Sequence, residues 1–365
     1  MPKKKNEFYS LTNIKKKNAT YNVIIGERSN GKTYACLLDA VKNFLKDGKQ
    51  FAYVRRWKED ISNKRASQIF SSIVESGALR KLTTEYDSII YRNGRFYLVR
   101  FNEKNEPIYN ENDCLGFTFA LSNTEHDKSV SYPKIKTIVF DEFLTNHLYL
   151  QDEFILFMNT VSTIVRRRTD VEIYMLGNTV NRYSPYFDEM GLTHIREMKQ
   201  GTIDVYRYGD SELTVAVEYC KSLEKSKSNN HYFAFGNAKL EMITGGSWSL
   251  NIYPHLPIKY KQSDVILTYY IDFNDMLFTC DIVEKDNYLF TYIHEKTTPL
   301  KHLESDIIFS FDYIPKMNYN RNILRPFTKL HEKIAWFYKT DRVFYQNNLV
   351  GDSIANYLKI CRGGQ

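Results

Sequence analysis

Apolar and polar positions in this chain repeat with two periods, and the change from one to the other is sharpest in the first fifty residues. Val23, Ile24 and Ile25 form a short unbroken apolar run that ends at Gly26, as expected for a parallel strand buried on both faces. Tyr34, Leu37, Leu38, Val41, Phe44 and Leu45 then recur at helical spacing, and Lys46-Asp47-Gly48 supplies a natural helix stop. Phe51 to Arg56 is a second strand, completing a β-α-β unit. Residues 60–82 read as helical. Ile89-Ile90-Tyr91 and Phe96 to Val99 flank Asn93-Gly94, the preferred two-residue hairpin turn. A polar loop over 102–113 leads to a strand at Leu115–Leu121.

Thr137 to Phe140 predicts the next strand, 152–166 a helix, and Val171 to Leu176 a strand stopping at Gly177-Asn178-Thr179. Strands alternating with helices imply a mostly parallel sheet with helices on both faces, that is, an α/β fold. Ligands of such sheets sit at the carboxyl ends of strands. After about residue 200 the texture changes. The polar stretch Cys220–Asn230 and Gly245-Gly246 make 201–245 a linker subdomain between an α/β domain at 1–200 and a smaller α+β domain at 246–365. The latter shows strand patterns at Val265–Phe273, Leu277–Val283 and Tyr288–Ile293, then a helix from Pro326 to Phe337. No internal repeat is visible.

Composition narrows the classes. At 365 residues the chain exceeds one ordinary core, and 43% apolar residues suffice for two. No segment approaches ~18 uninterrupted apolar residues, so a membrane span is not expected. The lysine-rich start lacks the apolar centre of a signal peptide. Five cysteines without a C-x-x-C pair argue against a disulfide framework or zinc site and for a reducing, intracellular setting. The net charge of +7 is uneven, with 21 basic and 9 acidic side chains in residues 1–100, 19 and 28 in 101–300, and 10 and 6 in 301–365. Basic ends around an acidic middle are compatible with holding a polyanion, although lysine runs also serve as solvated tails.

The candidate chemistry lies in the first loop. Gly26, Gly31, Lys32 and Thr33 fill the fixed positions of G-x-x-x-x-G-K-[ST] between a strand and a helix, the context this motif requires. A loop of that length turns successive N–H groups inward around a polyphosphate, so Glu27, Arg28, Ser29 and Asn30 join the nucleotide-binding set. Lys32 reaches the β- and γ-phosphates and Thr33 holds Mg²⁺. The alternative is a glycine-rich turn beside a surface lysine. Asp141-Glu142, after four apolar strand residues, fits a Walker B motif, with Asp141 in the Mg²⁺ shell and Glu142 as the base that polarises water; its bland reading is a helix cap. A strand and a hairpin separate Lys32 from Asp141, which suits the additional-strand, catalytic-Glu class of P-loop ATPases. Asn178, at a strand end, is either a γ-phosphate sensor or a cap. Arg166-Arg167-Arg168 admits an arginine finger, a kinase lid, or basic residues complementing a helix dipole.

With GERSNGKT, FAYVRRWKED, DKSVSYPKIKTIVFDEF, STIVRRRTDV and MLGNTV in that order, the chain resembles the DNA-packaging ATPases (encapsidation proteins) of small phi29-like podophages, compact relatives of terminase large subunits. The resemblance is specific over 8–200 and general beyond. It implies a homo-oligomeric ring, expected to be a pentamer, that pumps double-stranded DNA into a prohead at the portal vertex using ATP, in the host cytoplasm, with a packaging RNA among the candidate partners. Carried over by position, Arg166 matches the family's trans-acting arginine, Lys128 a basic residue presented across the subunit interface, and Lys58 a position facing the DNA channel. Arg28 matches a basic residue common in such motors, whereas Glu27 stands where a small or neutral residue is usual. The resemblance also implies a C-terminal RNase H-like nuclease domain that has lost cutting, so Asp272, Asp275 and Asp281 read as ordinary turn and strand residues rather than a two-metal site.

Other function classes remain in view. A nucleoside or nucleotide kinase shares the loop and an arginine-rich lid but gives no reason for a second domain or for Glu142. A GTPase would need an N-K-x-D motif, which does not occur. A module that binds nucleotide without turnover is the third class.

Overall fold

A computed structural model describes residues 8–123, 130–145, 149–179, 184–221, 253–256, 258–274, 276–300, 302, 304–311 and 318–363. The chain divides into two units, Met1–Ser249 and Leu250–Gln365. The first is built on a ten-stranded sheet of β1 (Tyr21–Gly26), β2 (Gln50–Arg55), β3 (Ser88–Arg92), β4 (Arg95–Phe101), β5 (Pro107–Ile108), β6 (Cys114–Ala120), β7 (Ile135–Asp141), β8 (Glu172–Asn178), β9 (Thr202–Arg207) and β10 (Thr214–Tyr219). Their order is β3-β4-β6-β2-β7-β8-β1-β10-β9, with β5 beside β4. The six strands from β6 to β10 run parallel, and antiparallel β4 and β9 flank them. One strand, β8, therefore lies between the strand that ends at Gly26 and the strand that ends at Asp141.

The unbroken apolar runs follow from this position. Successive side chains of a strand point to opposite faces, so a strand covered on both sides is apolar at every position. Val23, Ile25, Ala52, Val54, Ile138 and Phe140 enter one core, against α2 (Glu153–Val165) and the segment around Tyr186. Ile24, Phe51, Tyr53 and Val139 enter the other, against α1 (Lys32–Asp47) and the short helices before β3. α1 ends at Gly48, left-handed with φ 66°, as the sequence indicates.

Several expectations change. The helical stretch 60–82 is four short pieces, Lys58–Ile61, Asn63–Ala66, Ser71–Glu75 and Ala78–Leu82. The left-handed Gly77 (φ 72°) separates the last two, a conformation that cannot continue a helix. The linker placed at 201–245 begins instead with β9 and β10, which extend the first sheet; β10 pairs with β1 from Tyr21↔Val215 to Ile25↔Tyr219. The rest of that linker, 222–245, lies outside the described residues.

In the second unit β11 (Val265–Phe273), β12 (Met276–Lys285), β13 (Tyr288–Glu295), β14 (Ile308–Ser310), β15 (Tyr319–Asn320) and β16 (Val343–Tyr345) form a sheet of order β15-β14-β11-β12-β13-β16. β11 to β13 are an antiparallel meander, and β14 runs parallel to β11. The core joins Tyr269, Ile271, Phe278 and Cys280 to α3 (Lys329–Lys339) and α4 (Asn348–Gly363). α3 starts at Lys329 rather than Pro326, because the Thr328 hydroxyl accepts the His331 N–H and fixes the cap there. All five cysteines are buried thiols. Among the described residues no helix is long and apolar enough to cross a membrane.

Candidate nucleotide-binding site

The carboxyl ends of β1, β7 and β8 converge on one cavity of about 390 Å³, lined by Arg28 to Tyr34 on one side and by Asp141, Glu142, Leu176, Gly177 and Asn178 on the other. Its floor is the loop from Gly26 to the first turn of α1. Gly31 has φ 92°, a conformation suited to glycine, and opens α1. A Cβ at Gly26 would lie 2.8 Å from the Cβ of Cys220, so the residue that follows β10 leaves no room there for a side chain. The preceding segment straps the loop from outside: the Tyr9 N–H donates to the Asn30 carbonyl (2.9 Å), and the Tyr9 hydroxyl donates to Glu218 Oε2 on β10 (2.7 Å).

Lys32 Nζ donates to the Glu27 carbonyl (2.7 Å), Asn30 Oδ1 (3.1 Å), the Gly26 carbonyl (3.4 Å) and Asn178 Oδ1 (3.4 Å). Burial pulls its pKa below the ordinary lysine value, while the charges of Asp141 and Glu27 act in the opposite sense. Glu27 is buried at the base of the loop, whereas Arg28 and Ser29 are exposed at its rim. Asn178 reaches Lys32 because β8 pairs directly with β1, placing Asn178 opposite Gly26.

Thr33 Oγ1 lies 3.2 Å from both Asp141 oxygens, and the Tyr53 hydroxyl donates to Asp141 Oδ2 (2.8 Å). Burial raises the Asp141 pKa above the usual carboxylate range, against the opposing pull of Arg55 and these hydroxyls. Glu142 follows with φ 58°, uncommon for a residue with a side chain. Its N–H donates to Asp141 Oδ1 (3.0 Å), and its carboxylate takes Arg55 Nη2 at 2.6 Å.

Lys32, Thr33, Asp141, Glu142 and Asn178 thus come together. The other expected residues do not join them. Arg166 is exposed at the end of α2, left-handed with φ 43°, and does not line the cavity. Arg168 spends all five N–H groups on the carbonyls of Tyr132, Pro133, Ile135, Ile164 and Val165. That commitment leaves it unable to serve as the lid a kinase would need. Lys58 is exposed at the start of a 3₁₀ turn, its N–H donating to Ser122 Oγ. Lys128 lies outside the described residues. In the second unit Asp281 is held by Thr268 (2.7 Å), Tyr260 (2.9 Å) and His294 (3.5 Å), and Asp275 lies outside the described residues.

Sequence reasoning missed Tyr53 and Arg55. Both sit at the end of β2 on one face, and their i, i+2 spacing, ending in an arginine beside a strand already predicted to run parallel, was the available signal.

A family model described as the podovirus DNA encapsidation protein (Gp16) matches residues 3–299. The chain is 30% identical over 186 residues to the DNA packaging proteins of Bacillus phage PZA and Bacillus phage phi29; each match covers 50% of this chain and 50% of the relative. The matched chain thus spans about half the length of these curated relatives. Among solved structures, a chain of the bacteriophage phi29 viral genome packaging motor assembly is similar over 97% of this chain and 98% of its own, with 22% identity and a TM-score of 0.59. A chain of the phi28 gp11 DNA packaging motor is similar over 97% and 99%, with 19% identity and a TM-score of 0.55. These two share the fold. The family match covers most of the chain and includes every residue of the cavity, so the chain belongs to the podovirus DNA encapsidation protein family.

Proposed function

We propose that this protein is the ATPase subunit of a motor that drives double-stranded viral DNA into a prohead. The observation that carries the reading is the convergence of Lys32, Thr33, Asp141, Glu142 and Asn178 on one cavity at the strand ends. The parallel order β10-β1-β8-β7-β2, with β8 between the loop strand and the Asp141 strand, supports placing the fold in the additional-strand, catalytic-Glu class. In that class Glu142 polarises the attacking water. Family membership directs the work to DNA rather than to a small phosphate acceptor.

The residues fit Mg²⁺. Thr33 and Asp141 present hard oxygens to a common point, and Asp141 is a desolvated carboxylate that a cation would relieve. When bound, the metal would supply charge neutralisation for the phosphates. Lys32 releases the loop carbonyls and takes the β- and γ-phosphates; Asn178 contacts the γ-phosphate or its water. Arg28, at the rim, lies within the nucleotide-binding loop.

Arg166 acts on the nucleotide of a neighbouring subunit in a ring, in keeping with its exposed place outside its own cavity, and Lys128 acts across the same interface. Lys58 faces DNA. The ring is a pentamer at the portal vertex, docked through prohead components that include a packaging RNA, in the host cytoplasm. The second unit is RNase H-like: an antiparallel meander followed by two parallel strands, in the order β13-β12-β11-β14-β15, supports this. Its role is docking to nucleic acid or prohead, not cutting.

The test is ATP turnover with and without duplex DNA at graded salt. DNA stimulates turnover, Glu142→Gln abolishes it, and DNA affinity falls steeply with salt as phosphate counterions are released. Turnover that depends on a small phosphate acceptor and ignores DNA would overturn the reading.

A further inference from the structure

The left-handed backbone at Glu142 needs something to hold it there, because such conformations persist only where the surroundings over-determine them. Two neighbours at the end of β2 address this residue differently. Arg55 reaches the Glu142 side chain, while Arg56, pointing to the opposite face, reaches the main chain. Arg56 Nη1 donates to the Glu142 carbonyl (3.3 Å) and Nη2 to the Phe143 carbonyl (2.6 Å). The Phe143 N–H closes the turn on the Leu176 carbonyl (3.2 Å).

Arg56 is itself fixed. Nε and Nη2 form a two-pronged pair with Glu153 Oε2 and Oε1 at 2.6 and 2.8 Å, and the guanidinium carbon lies 5.0 Å from the centre of the Tyr149 ring. The Glu153 side chain is 0% exposed and that of Arg56 7%. Glu153 also accepts the Tyr186 hydroxyl (2.8 Å) and the Leu150 N–H (2.8 Å), so the buried carboxylate is saturated. Replacing such a pair by apolar residues is often close to neutral for stability, so burial alone does not account for a fully desolvated arginine here. Its two remaining bonds, to the carbonyls that frame Glu142, do.

We propose that Arg56 is a positioning residue for Glu142: braced by Glu153, its guanidinium sets the turn that aims the Glu142 carboxylate. The proposal rests on the reading of Glu142 as the group that polarises water. Glu153 opens α2 and Arg166 closes it, so the same brace fastens the Glu142 turn to the helix that ends in Arg166.

ATP hydrolysis by the full chain tests this with Arg56→Met/Glu153→Leu, Arg56→Lys and Glu142→Gln. The double exchange leaves no orphaned buried charge; it folds and keeps its affinity for a non-hydrolysable ATP analogue within about twofold, as a group outside the binding contacts should. Its kcat falls about tenfold or more at unchanged KM, the signature of a misaimed catalytic group. Arg56→Lys keeps a cation against Glu153 but cannot serve both carbonyls, so it also loses kcat without losing fold. An undiminished kcat in either variant, with Glu142→Gln inactive, overturns this proposal alone. Normal turnover by Glu142→Gln overturns the reading of Glu142 and this proposal with it.

Discussion

The Arg55 guanidinium lies 2.6 Å from the Glu142 carboxylate, so the base proposed to activate water is engaged by a cation from the neighbouring strand end. The same guanidinium faces Asp60 (3.4 Å) and the Tyr53 hydroxyl (3.5 Å), and the latter in turn bonds Asp141. Turnover requires Glu142 to leave this partner for a water. The Glu142 side chain is 55% exposed, so solvent screens the pair and the cost of parting is about 1 kcal/mol or less. Arg55→Gln is therefore expected to raise basal ATP turnover, by no more than about fivefold, and to make it less sensitive to added salt. A steady-state ATPase assay at two ionic strengths checks this; a fall in basal rate would mean that Arg55 assists the reaction.

Asp141 carries the opposite burden. Burial raises its pKa, so the folded chain binds this proton more readily than the unfolded chain, and ionising Asp141 costs stability. That cost is fully present above the raised pKa and disappears as the pH falls below the ordinary carboxylate value of 3.8. Asp141→Asn should melt several degrees higher than the parent at neutral pH without nucleotide, with the gain shrinking towards acid, and should hydrolyse no ATP. Melting curves across pH give the result, and an unchanged or lower melting temperature at pH 7 refutes it.

The three consecutive arginines separate by role. Arg168 donates to five carbonyls at once, and Arg168→Ala should cost roughly 2 kcal/mol or more of stability by removing a donor from each, although those of Tyr132 and Val165 keep a backbone N–H. Arg166 sits at φ 43°, where glycine is more comfortable, so Arg166→Gly removes the guanidinium while easing the backbone. It should match or exceed the parent in denaturant unfolding yet lose ATP turnover in the assembled motor, with partial rescue when mixed with Lys32→Ala subunits. An Arg166→Gly chain that keeps full turnover would remove this arginine from the chemistry.

Gly116 on β6 illustrates a constraint of packing. A Cβ there would lie 2.3 Å from the Phe51 ring and 2.4 Å from the Phe51 carbonyl oxygen. Relief requires β2 and β6 to part, so Gly116→Ala is expected to destabilise the fold by about 3 kcal/mol, the upper end for overpacking. Urea unfolding measures it, and a loss below the usual range for overpacking contradicts the packing.

How far the sequence could be read depended on distance along the chain. The loop from Gly26 to Thr33 is a local pattern, and its strand and helix stand on either side, so its spacing alone revealed it. Asp141 and Glu142 showed as a strand end. The i, i+2 spacing of Tyr53 and Arg55 shows only that they share a face of β2; that they, and Arg56 after them, meet Asp141 and Glu142 depends on which strands are neighbours. β10 was missed for a related reason: Thr214–Tyr219 owes its place to pairing with β1, nearly two hundred residues earlier, and polar segments surround it. The break at Gly77 went unread because a single glycine is tolerated in many helices, and only its positive φ shows that the chain turns there.

Phe8 and Tyr9 give the molecule a handle. A pull on the residues ahead of them would be felt at Asn30 and Gly31 and, through the Tyr9 hydroxyl, at Glu218 on β10. Whatever grips that lysine-rich stretch would thereby load the loop proposed to hold phosphate, and a purification tag placed there belongs among the variables of any kinetic measurement.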